Sequence, residues 1–348
     1  IDKPNIRYVT HYNLAKSLEN LSQEIGRAGR DGEPAVCESF VCPEDLPVLR
    51  NFAYGDTPSR EGIRGLVDEL AETPDHFDVS YQELANRHDI RVLVVRTLLT
   101  YLELQGYLEA GTPTYASYRF KPLLTSMEIL AKFQGERREF LARLFRQAKK
   151  ARTWFDLDLE SAGRALGAPR TRLVGALDYL AEQQMMELKV GGLRHRYRWL
   201  RRILQPKAVV EELFERTELH ERRENERLDL VLELAGHDGC QTALLCDYFG
   251  ETLEDACGHC GWCLDGRQAI ELPTVAEPSI DEEVWRQAVE LRSEHPHVLG
   301  DPRAFSRFLT GLKSPRLTRA KLSSHPLFGV WDRIPFTIVL ERAASDAS

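Results

Sequence analysis

Apolar residues recur at helical spacing through residues 60–72, 81–87 and 92–105, and again through 136–150, 159–166 and 170–183. A short apolar strand is predicted between the first and second helix of each set, at Phe77–Val79 and at Phe155–Leu157. Two further strands with a turn between them follow each third helix: Tyr107–Ala110 with Ser117–Phe120, and Met186–Val190 with His195–Leu200. The two sets are internal copies at a constant offset of 78 residues, with Phe77 and Asp78 matching Phe155 and Asp156, and Leu99, Tyr101 and Leu102 matching Leu177, Tyr179 and Leu180. Helix, strand, helix, helix, hairpin is the order of a winged-helix domain. The chain is therefore predicted to hold tandem winged helices at 54–124 and 125–205.

The flanks follow other patterns. Ile6–His11 reads as a buried strand, Ser17–Gln23 as a helix, and Gly26–Gly32 as a glycine-rich loop with two arginines, all within a small α/β unit at 1–53. Cys37 falls in a short strand closing that unit. Residues 206–236 read as one long helix or two, with an apolar stripe of Leu228, Val231, Leu232 and Leu234–Ala235. With a helix through Leu245 it makes a helical hairpin, the unit 206–266. Residues 267–280, with two prolines, read as a linker. The last unit, 281–348, is predicted helical at Asp281–Ser293, Pro302–Leu312 and Arg316–Leu322, with a turn or a docking loop at 325–329.

Composition adds a partition of charge. The net charge is −8, which excludes a uniformly basic nucleic-acid binder. Yet residues 136–207 carry 17 Lys+Arg against 8 Asp+Glu, while 54–122 carry 7 against 11. In the second winged helix Arg194, Arg196 and Arg198 alternate and would share one strand face, with Tyr197 and Trp199 on the other, toward the core or a base. Together with Arg170, Arg172, Arg201 and Arg202 they form a candidate DNA-binding patch, the alternative being a solvated basic hairpin. Arg303, Arg307, Lys313, Arg316, Arg319 and Lys321 make a second basic stretch, suited to DNA or to water. No apolar run reaches the length of a membrane span, and the first residues lack a signal-peptide layout. Seven cysteines, an odd count, fit a reducing cytoplasmic, nucleoid-associated setting better than disulfides.

Four of those cysteines carry the sharpest signal. Cys257, Cys260 and Cys263 form a CxxCxxC run, and Cys240 stands upstream across a sixteen-residue gap. Four thiolates close a tetrahedron, the geometry of a structural Zn²⁺ site with no open position. His259 is the rival for the fourth place, and Cys246 reads as a core thiol. The string resembles the zinc subdomain of RecQ-family DNA helicases: Cys240, Leu245, Tyr248, Phe249, Gly250 and Glu251 match the family's first cysteine, leucine and Tyr-Phe-Gly-Glu. Gln23, Gly26, Arg27, Gly29 and Arg30 fit Q-x-x-G-R-x-G-R and resemble motif VI of superfamily 2 helicases, with Asp2, Lys3 and Pro4 resembling the tail of motif V.

The resemblance implies a remnant of a RecA-like lobe at the start. It also implies that Arg27 and Arg30 reach ATP with its Mg²⁺, while Gln23 couples that site to the nucleic acid. An arginine suits phosphoryl transfer because its planar fork stabilises charge on the γ-phosphate. The implied whole is an ATP-dependent 3′-to-5′ DNA helicase of repair or recombination. Forked, single-stranded or duplex DNA would be its partner, with repair proteins and no membrane. The sequence has no G-x-x-x-x-G-K-[ST] loop and no Asp-Glu-x-His motif, so this stretch is expected to be a C-terminal part that does not hydrolyse ATP alone. The 200 or so residues between Arg30 and Cys240 depart from the family pattern. The competing readings are a non-enzymatic zinc-stapled DNA-binding protein and a protein-interaction module.

Overall fold

The computed structural model describes residues 3–42, 45–264, 269, 271 and 279–346. Asp2 and most of the predicted linker lie outside the described residues. Along the chain run β1 (Tyr8–His11), α1 (Leu18–Ile25), β2 (Val36–Ser39), α2 (Leu46–Gly55), α3 (Arg60–Ala71), β3 (His76–Val79), α4 (Tyr81–His88), α5 (Val92–Leu104), β4 (Leu108–Ala110) and β5 (Thr114–Pro122). Next come α6 (Ser126–Ala131), α7 (Gly135–Gln147), β6 (Lys149–Ala151), β7 (Trp154–Asp158), α8 (Leu159–Leu166), α9 (Arg170–Glu182) and β8 (Met186–Trp199). The remainder is α10 (Pro206–Ala235), α11 (Gln241–Tyr248), α12 (Gly261–Leu264), α13 (Glu282–Glu294), α14 (Pro296–Leu299), α15 (Pro302–Leu309), α16 (Pro315–Arg319) and α17 (Phe336–Ser345). The fold is mainly helical and forms two compact units. One comprises Ile1–Glu69, Ala85–Val95 and Leu204–Ser348, and the other Leu70–Leu84 and Arg96–Ile203.

The second unit holds a sheet of order β3-β8-β5-β7-β6, with β4 also on β8. Here the predicted hairpins are corrected. β4 pairs with β8 and not with β5, and Met186–Trp199 is a single strand of 14 residues. Its first part lies antiparallel to β5, with Leu188 opposite Phe120, and its end lies between β3 and β4, with Arg196 opposite Asp78 and Trp199 opposite Leu108. The expected turn at Gly191–Gly192 is a kink within the strand, with Gly192 at φ +64°. Glycine at positive φ serves a tight turn and a kink equally well, so the dipeptide does not distinguish them. Each copy of the repeated pattern thereby takes its last strand from the other.

Burial follows the alternation of β8. Tyr197 and Trp199 face the core, not a base; the Tyr197 hydroxyl lies 2.6 Å from that of Tyr81, and Trp199 Nε1 donates to Thr73 Oγ1 at 2.9 Å. In the other half of the sheet Leu157, Leu173, Leu177 and Leu180 are fully buried, and Phe120 stacks on Phe155. α7 ends earlier than its apolar period suggests. Ala148 is extended, and Lys149–Ala151 pair with Trp154–Asp156 in a hairpin that the sequence reading did not contain.

In the first unit β1 and β2 are parallel, with Tyr8 opposite Val36, and α1 crosses between them. Ser17 caps α1 by accepting from the Asn20 N–H. The apolar side of α1, with Leu14 and Ala15 before it and Leu18 and Leu21 within it, packs on Val231 and Leu234 of α10. The C-terminal helices form a separate core around Trp285, Phe305, Phe308 and Trp331. They are keyed to α2 by the buried Asn51, which donates to the carbonyls of Asp332 and Ile334 and accepts from the Phe336 N–H. Arg303 and Arg307, expected at a surface, turn inward. Arg303 pairs with Glu221, and the buried Arg307 donates to the Thr57 carbonyl.

The shared strands predict cooperative unfolding of the second unit. Trp154 reports one half of its sheet and Trp199 the other. Leu177→Ala should cost about 2–5 kcal/mol and move the urea midpoints of both tryptophans together, read in variants retaining one or the other. A midpoint that falls for Trp154 while Trp199 holds its own would show two independent halves.

Candidate metal centre

α10 ends at Ala235, and its last carbonyls, those of Leu234 and Ala235, accept from the Gln241 amide. The chain turns through 236–239 and starts α11 with Cys240 at the cap position. Gly258, at φ +75°, bends the chain between Cys257 and Cys260, and α12 carries Cys263. Local backbone geometry thus aims four sulfurs at one point. The Sγ atoms of Cys240, Cys257, Cys260 and Cys263 all lie within 4.8 Å of one another. Cys257 to Cys263 and Cys240 to Cys260 are each 4.0 Å. A tetrahedron with Zn–S of about 2.3 Å has edges of about 3.8 Å, whereas a disulfide needs about 2.05 Å.

The donor set fits Zn²⁺ on charge as well as on distance. Backbone N–H groups of His259 and Cys260 point at Cys257 Sγ, at 3.5 and 3.3 Å, and the Cys257 N–H points at Cys240 Sγ at 3.3 Å. Burial opposes ionisation of Cys257, but hydrogen bonds, first from Thr242 and then from the backbone of His259 and Cys260, overcome it and bring the thiol to about 6. Cys263 goes the other way, pushed up to about 11 by burial first and then by its sulfur neighbours. Four thiols so placed do not all ionise without a cation, and a divalent ion removes that conflict. His259 is exposed and outside the cluster, whose fourth sulfur is that of Cys240. Cys246 is half-buried rather than a core thiol and also lies outside it.

The centre is coupled to α1. Leu244 and Leu245 of α11 pack on the same core as Leu18 and Leu21, and the Tyr248 hydroxyl donates to Glu19 at 2.8 Å. Glu19 is held below the usual carboxylate range by the Ser17 hydroxyl first, then by the backbone and Tyr248. α1 carries Gln23 and runs directly into the loop with Arg27 and Arg30; all three side chains are exposed. Gly29 is left-handed at φ +62°, and its N–H donates to the Ile6 carbonyl at 3.0 Å; a side chain there would also strike the Glu33 carbonyl oxygen. Arg7 pairs with Asp31 and fixes the loop to β1. Arg30 Nε donates to the Gly26 carbonyl at 3.2 Å.

The seven arginines expected at DNA are placed in the second unit, and each is engaged there. Arg194 forms a fork on Glu83 at 2.8 and 3.0 Å, Arg196 one on Asp78 at 2.9 and 3.3 Å, and Arg198 meets Glu109 at 2.8 Å. Arg202 pairs with Asp75, Arg172 with Glu136, and Arg170 donates to the Tyr115 carbonyl. Arg201 lies 4.3 Å over the Tyr107 ring. The carboxylates were not found from sequence because three of them sit on strands or helices of the other copy. The one available signal was the opposite charge balance of the two copies.

Comparison with known proteins fits this geometry. Residues 197–264 match the family described as RecQ zinc-binding. The chain is 50% identical over 95 residues to the ATP-dependent helicase wrn-1 of Caenorhabditis elegans, covering 23% of this chain and 9% of that protein. It is 30% identical over 106 residues to the probable ATP-dependent DNA helicase RecS of Bacillus subtilis, covering 30% and 21%. It is 43% identical over 72 residues to ATP-dependent DNA helicase Q4 of Mus musculus, covering 20% and 6%. The four-cysteine centre lies inside the segment that matches the RecQ zinc-binding family, and the chain is similar in part to ATP-dependent helicases. It spans no more than about a fifth of the length of these relatives.

A structural site predicts a clear metal dependence. One zinc per chain is expected by atomic absorption, falling toward zero in Cys240→Ser and staying at one in Cys246→Ser. Structural zinc contributes apparent binding free energies of about 10–16 kcal/mol, so chelation should unfold α11 and shift Trp262 fluorescence. Full zinc content in Cys240→Ser would hand the fourth position to another residue.

Proposed function

We propose that this chain is the C-terminal region of a RecQ-like, ATP-dependent 3′-to-5′ DNA helicase acting in repair or recombination. The observation that carries the reading is the packing of the four-cysteine centre, through α11, on the helix that leads into the Arg27–Arg30 loop. In this reading β1, α1 and β2 are the edge of a second RecA-like lobe. The loop presents two exposed guanidiniums to the γ-phosphate of ATP, and Gln23 lies on the helix that links them to the rest. The zinc centre stabilises the platform under that helix and takes no part in the chemistry, because a four-thiolate site has no open position.

The two helical copies are read as winged helices whose third strands are exchanged. No free wing remains in such a pair, which argues against a wing wedged at a duplex end. We propose that Arg194, Arg196 and Arg198 reach phosphate only by giving up their carboxylates. Exposed pairs of this kind are worth about 0–1 kcal/mol each, so the exchange is inexpensive where DNA competes.

The test is DNA-stimulated ATP hydrolysis by the protein extended to include the phosphate-loop and Mg²⁺ motifs that this sequence lacks. Removal of a transition-state arginine costs about 10³–10⁵ in rate. Arg27→Ala and Arg30→Ala should each lower kcat by at least the smaller factor, with zinc content unchanged. Hydrolysis at the unsubstituted rate would overturn the assignment of the loop.

A further inference from the structure

The hairpin β6–β7 and the end of α7 beside it carry a cluster of basic side chains. Residues 137–152 hold seven Lys+Arg and one Asp+Glu in a chain of net charge −8. Arg146, Lys149, Lys150 and Arg152 are exposed, and among the described residues none of them forms an ion pair with a carboxylate. The other strand arginines of this unit behave differently: Arg119, Arg194, Arg196 and Arg198 are each on a carboxylate. Lys149 lies opposite Asp156 in the hairpin register, but Asp156 is already engaged by Arg119 at 2.6 Å.

The tip adds a second observation. Arg152 is held left-handed at φ +52°, where a turn ordinarily uses glycine or asparagine. Beside it Trp154 carries Lys189 on its ring, with Nζ 4.6 Å from the centroid, which brings a further cation to the same hairpin. Like charges crowded together without counter-charges repel one another, and a polyanion relieves the repulsion. DNA does so by exchanging condensed counterions for lysine and arginine.

We propose that the β6–β7 hairpin, with Arg146 and Lys189, is a binding surface for the DNA phosphate backbone, insensitive to base sequence. The proposal rests on the DNA-helicase reading above. It assigns backbone contact to a hairpin that precedes α8 and α9, whose cations need give up no carboxylate, in addition to the arginines of β8, which must.

The experiment measures binding of a fluorescein-labelled duplex to this chain across a salt series, with zinc content and circular dichroism confirming the fold. Each phosphate contact contributes about 0.9 to the slope of log K against log salt. The triple variant K149Q/K150Q/R152Q should therefore lose about 2–3 from that slope and bind at least about tenfold more weakly at 0.1 M salt. Duplex binding with an unchanged slope overturns the hairpin and leaves the helicase reading intact. No duplex binding by the unsubstituted chain, even at low salt, also overturns the hairpin, while the helicase reading stands or falls on the hydrolysis test above. Tryptophan fluorescence supplies a readout free of the triple substitution. Duplex should change the emission of the unsubstituted chain and leave that of W154F unchanged; an equal change in both variants, or none in either, counts against the hairpin.

Discussion

Negative charge gathered at a point is the constraint on which the first unit depends. Two unit charges about 4 Å apart repel by about 4 kcal/mol at an effective dielectric of 20, and the cysteine cluster brings several such pairs together. Without a cation the sulfurs must protonate or separate; with one they fix Cys240 to the CxxCxxC loop. That fixes the start of α11, and α11 contributes Leu244, Leu245 and Tyr248 to the surface on which α1 rests. The loop with Arg27 and Arg30 is the direct continuation of α1. Metal, helix pair, helix and loop form one mechanical series, and its first member is electrostatic.

The metal centre was legible because its ligands sit close in sequence and thiol spacing has few other uses. The choice between Cys240 and His259 was left open by spacing and follows from the structure, where the four sulfurs converge and His259 is exposed outside the cluster. Helices with long apolar periods were legible for the same local reason. Strand pairing was not. Gly191–Gly192 has the same composition whether the chain reverses or runs on, and the deciding partners, Asp78, Glu83 and Glu109, lie far away in sequence. The basic hairpin at β6–β7 was hidden by an apolar period that carries α7 past its true end. The inward arginines, Arg303 and Arg307, looked like surface charges because nothing near them in sequence announces Glu221 or the Thr57 carbonyl.

The opposite charge balances of the two copies become intelligible once the strands are seen to cross. The acidic copy supplies Asp75, Asp78, Glu83 and Glu109, and the basic copy supplies Arg202, Arg196, Arg194 and Arg198. Each pair alone is weak. Together they favour one register, since a slip of one residue would set these arginines against the core beside Phe77.

The crossing has a consequence for any attempt to divide the chain. A cut in the segment between β5 and α6 falls between the two copies in sequence and yet severs neither from its own helices. It leaves β5 on one piece and its neighbours β7 and β8 on the other, while β3 and β4 lose the strand that lies between them. Each piece then displays an unpaired edge that matches the other piece, whereas the uncut chain has those strands already paired. Mixed together, the pieces reassemble the sheet as complementing fragments; apart, each is left as an adhesive half of a sheet.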